Sequence, residues 1–155
     1  MRSVPFLMSV LVCTSVLALP AEDHWGADPN TPFAQNLAKA AEMIEAELYS
    51  GALPLLKELA EQEPGNADVF NLLGFAYRKT GDLNRSAPAY ERALFLNPDH
   101  LGALEYQGEL FLQLGDVARA RANLDRLGDL CPSSCEEKEE LSAAIAAWRS
   151  NGSLR

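Results

Sequence analysis

Apolar residues recur every three or four positions along most of this chain, which is the spacing that places side chains on one face of an α-helix. The pattern is clearest between Leu72 and Leu96. In its first half Leu73 and Tyr77 lie one helical turn apart, and in its second half Tyr90 and Leu94 do the same. Polar residues and glycine separate the two stripes. The pattern therefore predicts two amphipathic helices joined by a short turn.

Glycine and proline predict where these helices end. Gly81-Asp82 and Gly115-Asp116 are expected to end the first helix of two successive pairs, because glycine accepts the left-handed backbone of a helix C-terminus. Proline follows each second helix, since it cannot continue one. These prolines recur every 34 residues, at Pro64, Pro98 and Pro132. A fixed period of this length is typical of stacked-repeat architectures.

The residues between the prolines resemble a known repeat. The clearest copy contains Phe70, Leu73, Gly74, Tyr77, Ser86, Tyr90, Ala93 and Pro98. These match the tetratricopeptide pattern, with Phe for Trp, Ser for Ala and Tyr for Phe. The next copy fits with departures at Gln107 and Leu127, and the preceding copy keeps mainly its second half. Residues 33–134 are therefore similar to the tetratricopeptide repeat (TPR) family.

The resemblance implies an all-α, right-handed superhelical array of three helix pairs and a C-terminal capping helix. The expected repeats are 33–66, 67–100 and 101–134, with the capping helix at 135–149 and a tail at 150–155. Ser133 and Glu136 have the spacing of a capping box that starts this last helix. Leu141, Ile145 and Trp148 are expected on its apolar face, where they cover the open end of the array.

Several residues carry local expectations. Gly74 and Gly108 are costly inside helices, so we expect another backbone to approach closely there. Pro88 lies a few residues into a second helix and predicts that this helix starts late or bends. The expected N-caps are Asn66 and Asp99, and either Asn30 or Thr31 for the first helix.

The N-terminus has the three parts of a secretory signal peptide. Arg2 precedes an uncharged apolar run from Val4 to Leu19, and small residues follow. We expect cleavage after Ala18 or Ala21, an extended lead-in at 22–32, and a periplasmic or secreted mature protein. The net charge of −9 argues against nucleic acid and anionic membrane surfaces as partners.

Two cysteines remain after the signal peptide that contains Cys13 is removed. In an oxidising compartment Cys131 and Cys135 are expected to form a structural disulfide. A redox role for Cys135 and a soft-metal site at the pair are the alternatives. A further alternative places His24 third from a new N-terminus, in a set of nitrogen ligands that suits Cu(II) or Ni(II).

The resemblance also implies where a partner binds. In the family the first helix of each pair lines a concave groove, and the corresponding positions are Leu37, Ala41, Ile44, Asn71, Phe75, Arg78, Lys79, Glu105, Glu109 and Leu112. Phe75 is either a binding anchor or an ordinary half-exposed aromatic residue. Arg78 and Lys79 either receive an acidic segment or form a solvated helix end.

The sequence shows no catalytic motif, phosphate loop or metal-binding helix motif, so we expect neither an enzyme nor a cofactor. The predicted function is a non-catalytic module that binds a peptide or a partner protein in the groove, as an adaptor in envelope assembly or protein maturation. The alternative is metal or thiol handling through Cys131 and Cys135. Self-association is also open, because Leu37, Ala40, Ala41 and Ile44 predict a broad apolar face at the N-terminal end.

Overall fold

The computed structural model describes residues 30–152, which form seven α-helices joined by short turns and contain no strand. The helices are α1 (Pro32–Glu45), α2 (Tyr49–Gln62), α3 (Ala67–Lys79), α4 (Leu83–Leu96), α5 (Leu101–Gln113), α6 (Val117–Leu130) and α7 (Glu136–Gly152). The predicted signal peptide with Cys13, most of the lead-in with His24, and residues 153–155 lie outside the described residues.

The helices pack as successive antiparallel pairs, α1 with α2, α3 with α4 and α5 with α6. The first helices of neighbouring pairs also contact each other, so that α1, α3 and α5 form one continuous row. Helix α7 packs on α5 and α6 and occupies the next place in that row. The predicted all-α superhelical array is confirmed.

The turns inside the second and third helix pairs share one backbone geometry. Gly81 and Gly115 have φ angles of 83° and 78°, and the next N–H in each turn donates back to the preceding helix. The N–H of Asp82, for example, donates to the carbonyl of Tyr77 at 2.9 Å. The predicted glycine turns are therefore confirmed. The first pair departs from them, because its left-handed position is occupied by Glu47 with a φ of 58°.

Side-chain caps fix the starts of five helices, α1, α3, α4, α5 and α6. The predicted caps Thr31 and Asn66 are confirmed, since they accept from the N–H groups of Ala34 and Val69. The predicted cap Asp99 is wrong. Helix α5 begins one residue later than that cap requires, so the imidazole Nδ1 of His100 accepts from the Ala103 N–H at 3.2 Å. Asp99 pairs instead with Arg126.

The core consists of two apolar clusters. The first joins α1 to α4 around Ala40, Leu56 and Leu73, and the second joins α5, α6 and α7 around Leu127 and Leu141. Leu37 and Ile44 pack partly against the first cluster, and the exposed residues of α1 include Gln35, Lys39, Glu42 and Glu45. The exposed side of α1 is therefore more polar than the broad apolar face that the sequence pattern predicted.

Close packing explains two helix-interior glycines, although the approaching group is not the one predicted. A Cβ at Gly74 would meet the Tyr90 ring at 2.6 Å, and a Cβ at Gly108 would meet Leu141 at 2.6 Å. These neighbours are side chains, so the expectation of a close backbone was wrong. Tyr90 and Leu141 are fully buried, which leaves little room for either to move.

Pro88 does not delay its helix. Helix α4 begins at Leu83, directly after an N-cap in which Asp82 accepts from the Arg85 N–H at 3.1 Å, and Pro88 lies inside it. Pro54 lies inside α2 at the same distance from the helix start. The predicted late start is therefore wrong, because the Asp82 cap sets the first residue.

Helix α7 differs from its prediction at both ends. It begins at Glu136, so Ser133 is too early to be its cap, and the Ser134 hydroxyl donates instead to Glu139. It continues to Gly152, beyond the predicted end at residue 149. Leu141 and Ile145 are buried as expected, but Trp148 is 38% exposed.

Candidate functional site

An open cavity of about 570 Å³ lies along the row of first helices, between α3, α5 and α7. Helix α3 contributes Phe75, Arg78 and Lys79 to its lining, and α5 contributes Glu105, Tyr106 and Glu109. The opposite wall comes from α7 and consists of Glu140, Ala143, Ala144 and Ala147. Five of the ten predicted groove positions are thus brought to one cavity: Phe75, Arg78, Lys79, Glu105 and Glu109.

Three aromatic rings meet at one side of this cavity. Phe75 lies edge-on to Tyr49 of α2, with ring centroids 5.9 Å apart, and against Tyr106 of α5 at 4.6 Å. Phe75 is half-buried, so it is a member of a ring cluster and not an isolated exposed anchor. Aromatic clusters of this kind offer a large apolar contact area at low entropy cost.

Two cations lie over Phe75, and one of them also lies near Tyr106. The Arg78 guanidinium carbon is 5.3 Å from the Phe75 centroid and 5.8 Å from the Tyr106 centroid, and the Lys79 Nζ is 5.2 Å from Phe75. These are cation–π distances. Lys79 is exposed, whereas Arg78 is only 6% exposed.

The burial of Arg78 makes the solvated-helix-end interpretation wrong for this residue. Its Nη2 lies 2.5 Å from the Glu109 carboxylate, and its Nε has no hydrogen-bond acceptor among the described residues. The ion pair links α3 to α5 across the boundary between two repeats. A buried charge needs such a partner, since an unpaired one is strongly destabilising.

Glu105 is the most unusual ionisable group of the site. It is 3% exposed, and burial, a hydrogen bond with Glu140 and the negative charges of Glu140 and Glu109 raise its pKa to about 9. At neutral pH the Glu105 carboxyl is therefore protonated and donates to Glu140. This bond joins α5 to α7. The sequence alone does not distinguish Glu105 from a glutamate that faces solvent.

The remaining predicted groove residues lie elsewhere. Leu37, Ala41 and Ile44 are half-buried on α1, outside this cavity. Asn71 is 8% exposed and its Oδ1 has no hydrogen-bond donor among the described residues. Leu112 is wrong as a groove residue, because it belongs to the second core cluster together with Leu141 and Ile145 of α7.

Sequence reasoning missed the contribution of α7 and of the tyrosines. Glu140 and Ala143 follow Tyr106 and Glu109 by one 34-residue stride. The repeat register, extended into the last helix, predicts both positions, whereas the apolar stripe of that helix indicates only that it covers the end of the array. Tyr49 gave no such signal, because it opens a second helix and reaches Phe75 only in the folded structure.

The cysteine pair lies away from this cavity, between α6 and α7. The two sulfur atoms are within bonding distance and the Cα atoms are 5.8 Å apart. Cys131 ends α6 and is buried. Residues 30–152 contain no group of three or more His, Cys, Asp or Glu side chains placed to hold a metal ion.

No helix within the described part of the chain combines the length and the apolar composition that a membrane crossing requires.

Comparison with known proteins agrees with the fold. The family model of the tetratricopeptide repeat matches residues 72–134. The Yersinia enterocolitica type III secretion chaperone SycD, solved in complex with a peptide of the translocator YopD, superposes with a TM-score of 0.65 at 19% sequence identity. That match covers 76% of this chain and 92% of the SycD chain.

Two curated relatives share parts of the sequence. Protein FlbA of Caulobacter vibrioides is 37% identical over 71 residues, which are 46% of this chain and 12% of FlbA. The probable biofilm formation methyltransferase WspC of Pseudomonas putida is 31% identical over 90 residues, which are 58% of this chain and 21% of WspC. The chain therefore spans only a small part of these relatives.

Proposed function

Because this chain is a tetratricopeptide-repeat protein, we propose that it is a non-catalytic interaction module that binds an extended segment of a partner protein in its groove. The groove is the cavity between α3, α5 and α7 together with the aromatic side that Tyr49 extends. Protein relatives of this fold bind peptides in crystals, as SycD does with a peptide of YopD.

The observation that carries the proposal is the ring cluster with its two cations. Tyr49, Phe75 and Tyr106 come from three different helices, and Arg78 and Lys79 both lie over the Phe75 ring. Rings and arginine are the residue types that dominate binding energy at protein interfaces. A half-buried ring cluster beside an open cavity offers its rings and the exposed Lys79 to a partner without prior rearrangement.

The cellular role is proposed from the sequence. The apolar run from Val4 to Leu19 supports export, and the Cys131–Cys135 pair supports an oxidising compartment. We place the protein in the periplasm or outside the cell, as an adaptor in envelope assembly or protein maturation. Thiol titration of protein from the periplasmic fraction tests this placement: no titratable thiol is expected in the native state, and two free thiols would contradict it.

Affinity capture from periplasmic extract tests the binding function. We compare the wild type with Phe75→Ala and, as a matched control, with Phe95→Ala, which removes an aromatic ring that is 76% exposed on α4 and outside the cavity. The partner is expected to be retained by Phe95→Ala and lost or reduced about tenfold by Phe75→Ala. Equal capture by all three proteins would overturn the proposal.

No observation favours the alternative of metal handling through Cys131 and Cys135, since residues 30–152 bring no third ligand of the four types to the pair. Self-association through the N-terminal end stays a prediction, which concentration-dependent light scattering tests.

A further inference from the structure

One edge of the array carries most of its exposed large apolar side chains. It is the edge where the turns inside the helix pairs lie, called here the turn edge, and it contains Leu48, Leu114 and Trp148. Leu114 ends α5 and is 49% exposed, and Trp148 follows it by one 34-residue stride on α7. Apolar side chains that cluster on one surface mark interaction sites more often than isolated ones do.

Leu114 lines two open cavities on the turn edge. The first, of about 550 Å³, lies against the turn between α3 and α4 and is also lined by Leu83. The second, of about 620 Å³, lies against the turn between α5 and α6 and reaches Trp148 on α7. Neither cavity shares a lining residue with the cavity between α3, α5 and α7. The turn edge is therefore a surface separate from the groove.

The second cavity is positively charged, although the whole chain has a net charge of −9. Its cations are Arg119 and Arg121, and Asp116 is the one acidic residue among the described residues that line it. Asp116 is already engaged, because it accepts from the backbone N–H of Arg119 and from its Nε. Arg121 is exposed and has no ion pair within residues 30–152. One positive charge of the cavity thus stays uncompensated.

The second arginine is held in place for a partner. The Arg119 guanidinium carbon lies 4.3 Å from the centroid of the buried Phe111 ring, which is a cation–π distance. The Arg119 side chain is still 58% exposed. A cation fixed in this way loses little conformational freedom when it binds. Tryptophan and arginine are also the residue types that most often dominate the energy of an interface.

We propose that the turn edge between Leu114 and Trp148 is a second interaction surface, which binds a segment of another protein that carries apolar residues flanked by acidic ones. The apolar side chains pack against Leu114 and the Trp148 ring, and a carboxylate pairs with Arg121. The proposal does not depend on the function of the groove, and the two surfaces can be occupied at the same time.

Charge favours another protein over a second copy of this chain in a symmetric contact. In a twofold-symmetric dimer the same patch lies on both sides of the interface. Two such patches would bring Arg119 and Arg121 of one copy towards the same arginines of the other, and like charges oppose that arrangement. An acidic segment instead supplies the missing counter-charge.

A short peptide and two matched analogues test the surface. The probe is an N-acetylated, C-amidated hexapeptide with phenylalanine and leucine at its centre and two glutamates on each side. One analogue has glutamine in place of every glutamate, and the other has alanine in place of the central pair. Each is titrated into ¹⁵N-labelled protein in about 0.05 M salt, where charges are weakly screened.

The probe should shift the indole N–H signal of Trp148 and the amide signals of Leu114 and Arg121. It is expected to bind about fivefold more tightly than the glutamine analogue, because the analogue keeps the shape of the probe and lacks its charge. The alanine analogue should bind at least as weakly, since it lacks the apolar side chains that pack against Trp148.

Variants locate the binding. Arg121→Gln should remove the preference for glutamate over glutamine, whereas Arg126→Gln, which changes an arginine of the same helix that pairs with Asp99, should keep it. Trp148→Ala should weaken binding of the probe about tenfold. Because Arg121 is exposed, its variant is expected to fold like the wild type, and the test does not depend on the Trp148 variant.

Four results would overturn the proposal. They are equal binding of the probe and its glutamine analogue, and an unchanged preference in Arg121→Gln. Shifts at Phe75 and Tyr106 without a shift at Trp148 would place the peptide in the groove instead. Trp148 signals that change on dilution of the protein alone would identify the edge as a contact between copies.

A membrane surface is a further outcome that the same signals separate. Vesicles of anionic lipid that shift the Trp148 indole signal, when the probe does not, would assign the edge to a membrane and contradict the proposal. The result expected here is a shift with the probe. Because Phe75 reports on the groove and Trp148 on the turn edge, failure of either surface leaves the other one standing.

Discussion

At the scale of single residues, Glu105 couples the stability of the fold to pH. Its pKa of about 9 in the folded protein lies above the ordinary value of 4.5, chiefly because the residue is buried. Between these two values the folded state keeps a proton that the unfolded chain loses. The free energy of unfolding therefore decreases as pH rises from about 4.5 to 9, by up to about 1.4 kcal/mol per pH unit.

Replacement of this carboxyl should remove that dependence. Glu105→Gln is expected to match the wild type near pH 4.5 and to be more stable at pH 8, because the amide has no charge to bury. The expected gain is about 1–3 kcal/mol, less than the full linkage value of about 5 kcal/mol, because water in the open cavity screens part of the charge. Urea denaturation between pH 4.5 and 9 measures the difference, with Glu91→Gln as the control for an exposed carboxylate. Parallel pH profiles for wild type and Glu105→Gln would contradict the assigned burial.

Glu47 is a second residue whose environment predicts a measurable effect. It has a φ of 58°, while the equivalent positions of the next two pairs are Gly81 and Gly115. The left-handed conformation costs an ordinary residue about 1–2 kcal/mol. Glu47→Gly is therefore expected to raise the free energy of unfolding by about 0.5–1 kcal/mol after the greater flexibility of unfolded glycine is subtracted.

The control for this prediction is Gly81→Ala, which introduces the same strain into the second pair and should lower stability by about 1 kcal/mol. Chemical denaturation of both variants measures the effects. A loss of stability in Glu47→Gly would show that the turn is not held in the left-handed conformation.

At the scale of elements, two helix-interior glycines should respond oppositely to the same change. A Cβ at Gly74 meets the buried Tyr90 ring at 2.6 Å, whereas a Cβ at Gly128 in α6 meets nothing within 4 Å. Gly74→Ala should destabilise the protein by about 1–2 kcal/mol, because overpacking exceeds the gain in helix propensity. Gly128→Ala should stabilise it by about 0.5–1 kcal/mol.

Thermal unfolding of the two alanine variants separates these cases. Similar shifts of the same sign would mean that helix propensity alone controls both positions and that the α3–α4 packing is looser than the structure shows.

The elements also show what the sequence can and cannot predict. Glycine turns, proline stops and the caps Thr31 and Asn66 were predictable, because each depends on local backbone chemistry. The Asp99 cap failed, since one residue of shift in the helix start gives the role to His100. The buried state of Arg78 and Glu105 was not predictable, because it depends on how α3, α5 and α7 pack together.

At the scale of the whole molecule, the 34-residue stride predicted the stacking of helix pairs, and the structure extends the same register into α7. That extension turns a helix expected to cover the end of the array into one wall of the cavity. The groove consequently has an aromatic and basic side on α3 and an acidic side between α5 and α7.

Site-specific photo-crosslinking in cells tests groove binding most directly. A photoreactive amino acid replaces Lys79, which is exposed at the cavity, or Glu91, which is exposed on α4 outside it. The structure predicts a discrete crosslinked partner from position 79 that position 91 does not give. Identical crosslinks from both positions, or none from position 79, would contradict the assignment of the groove as the binding surface.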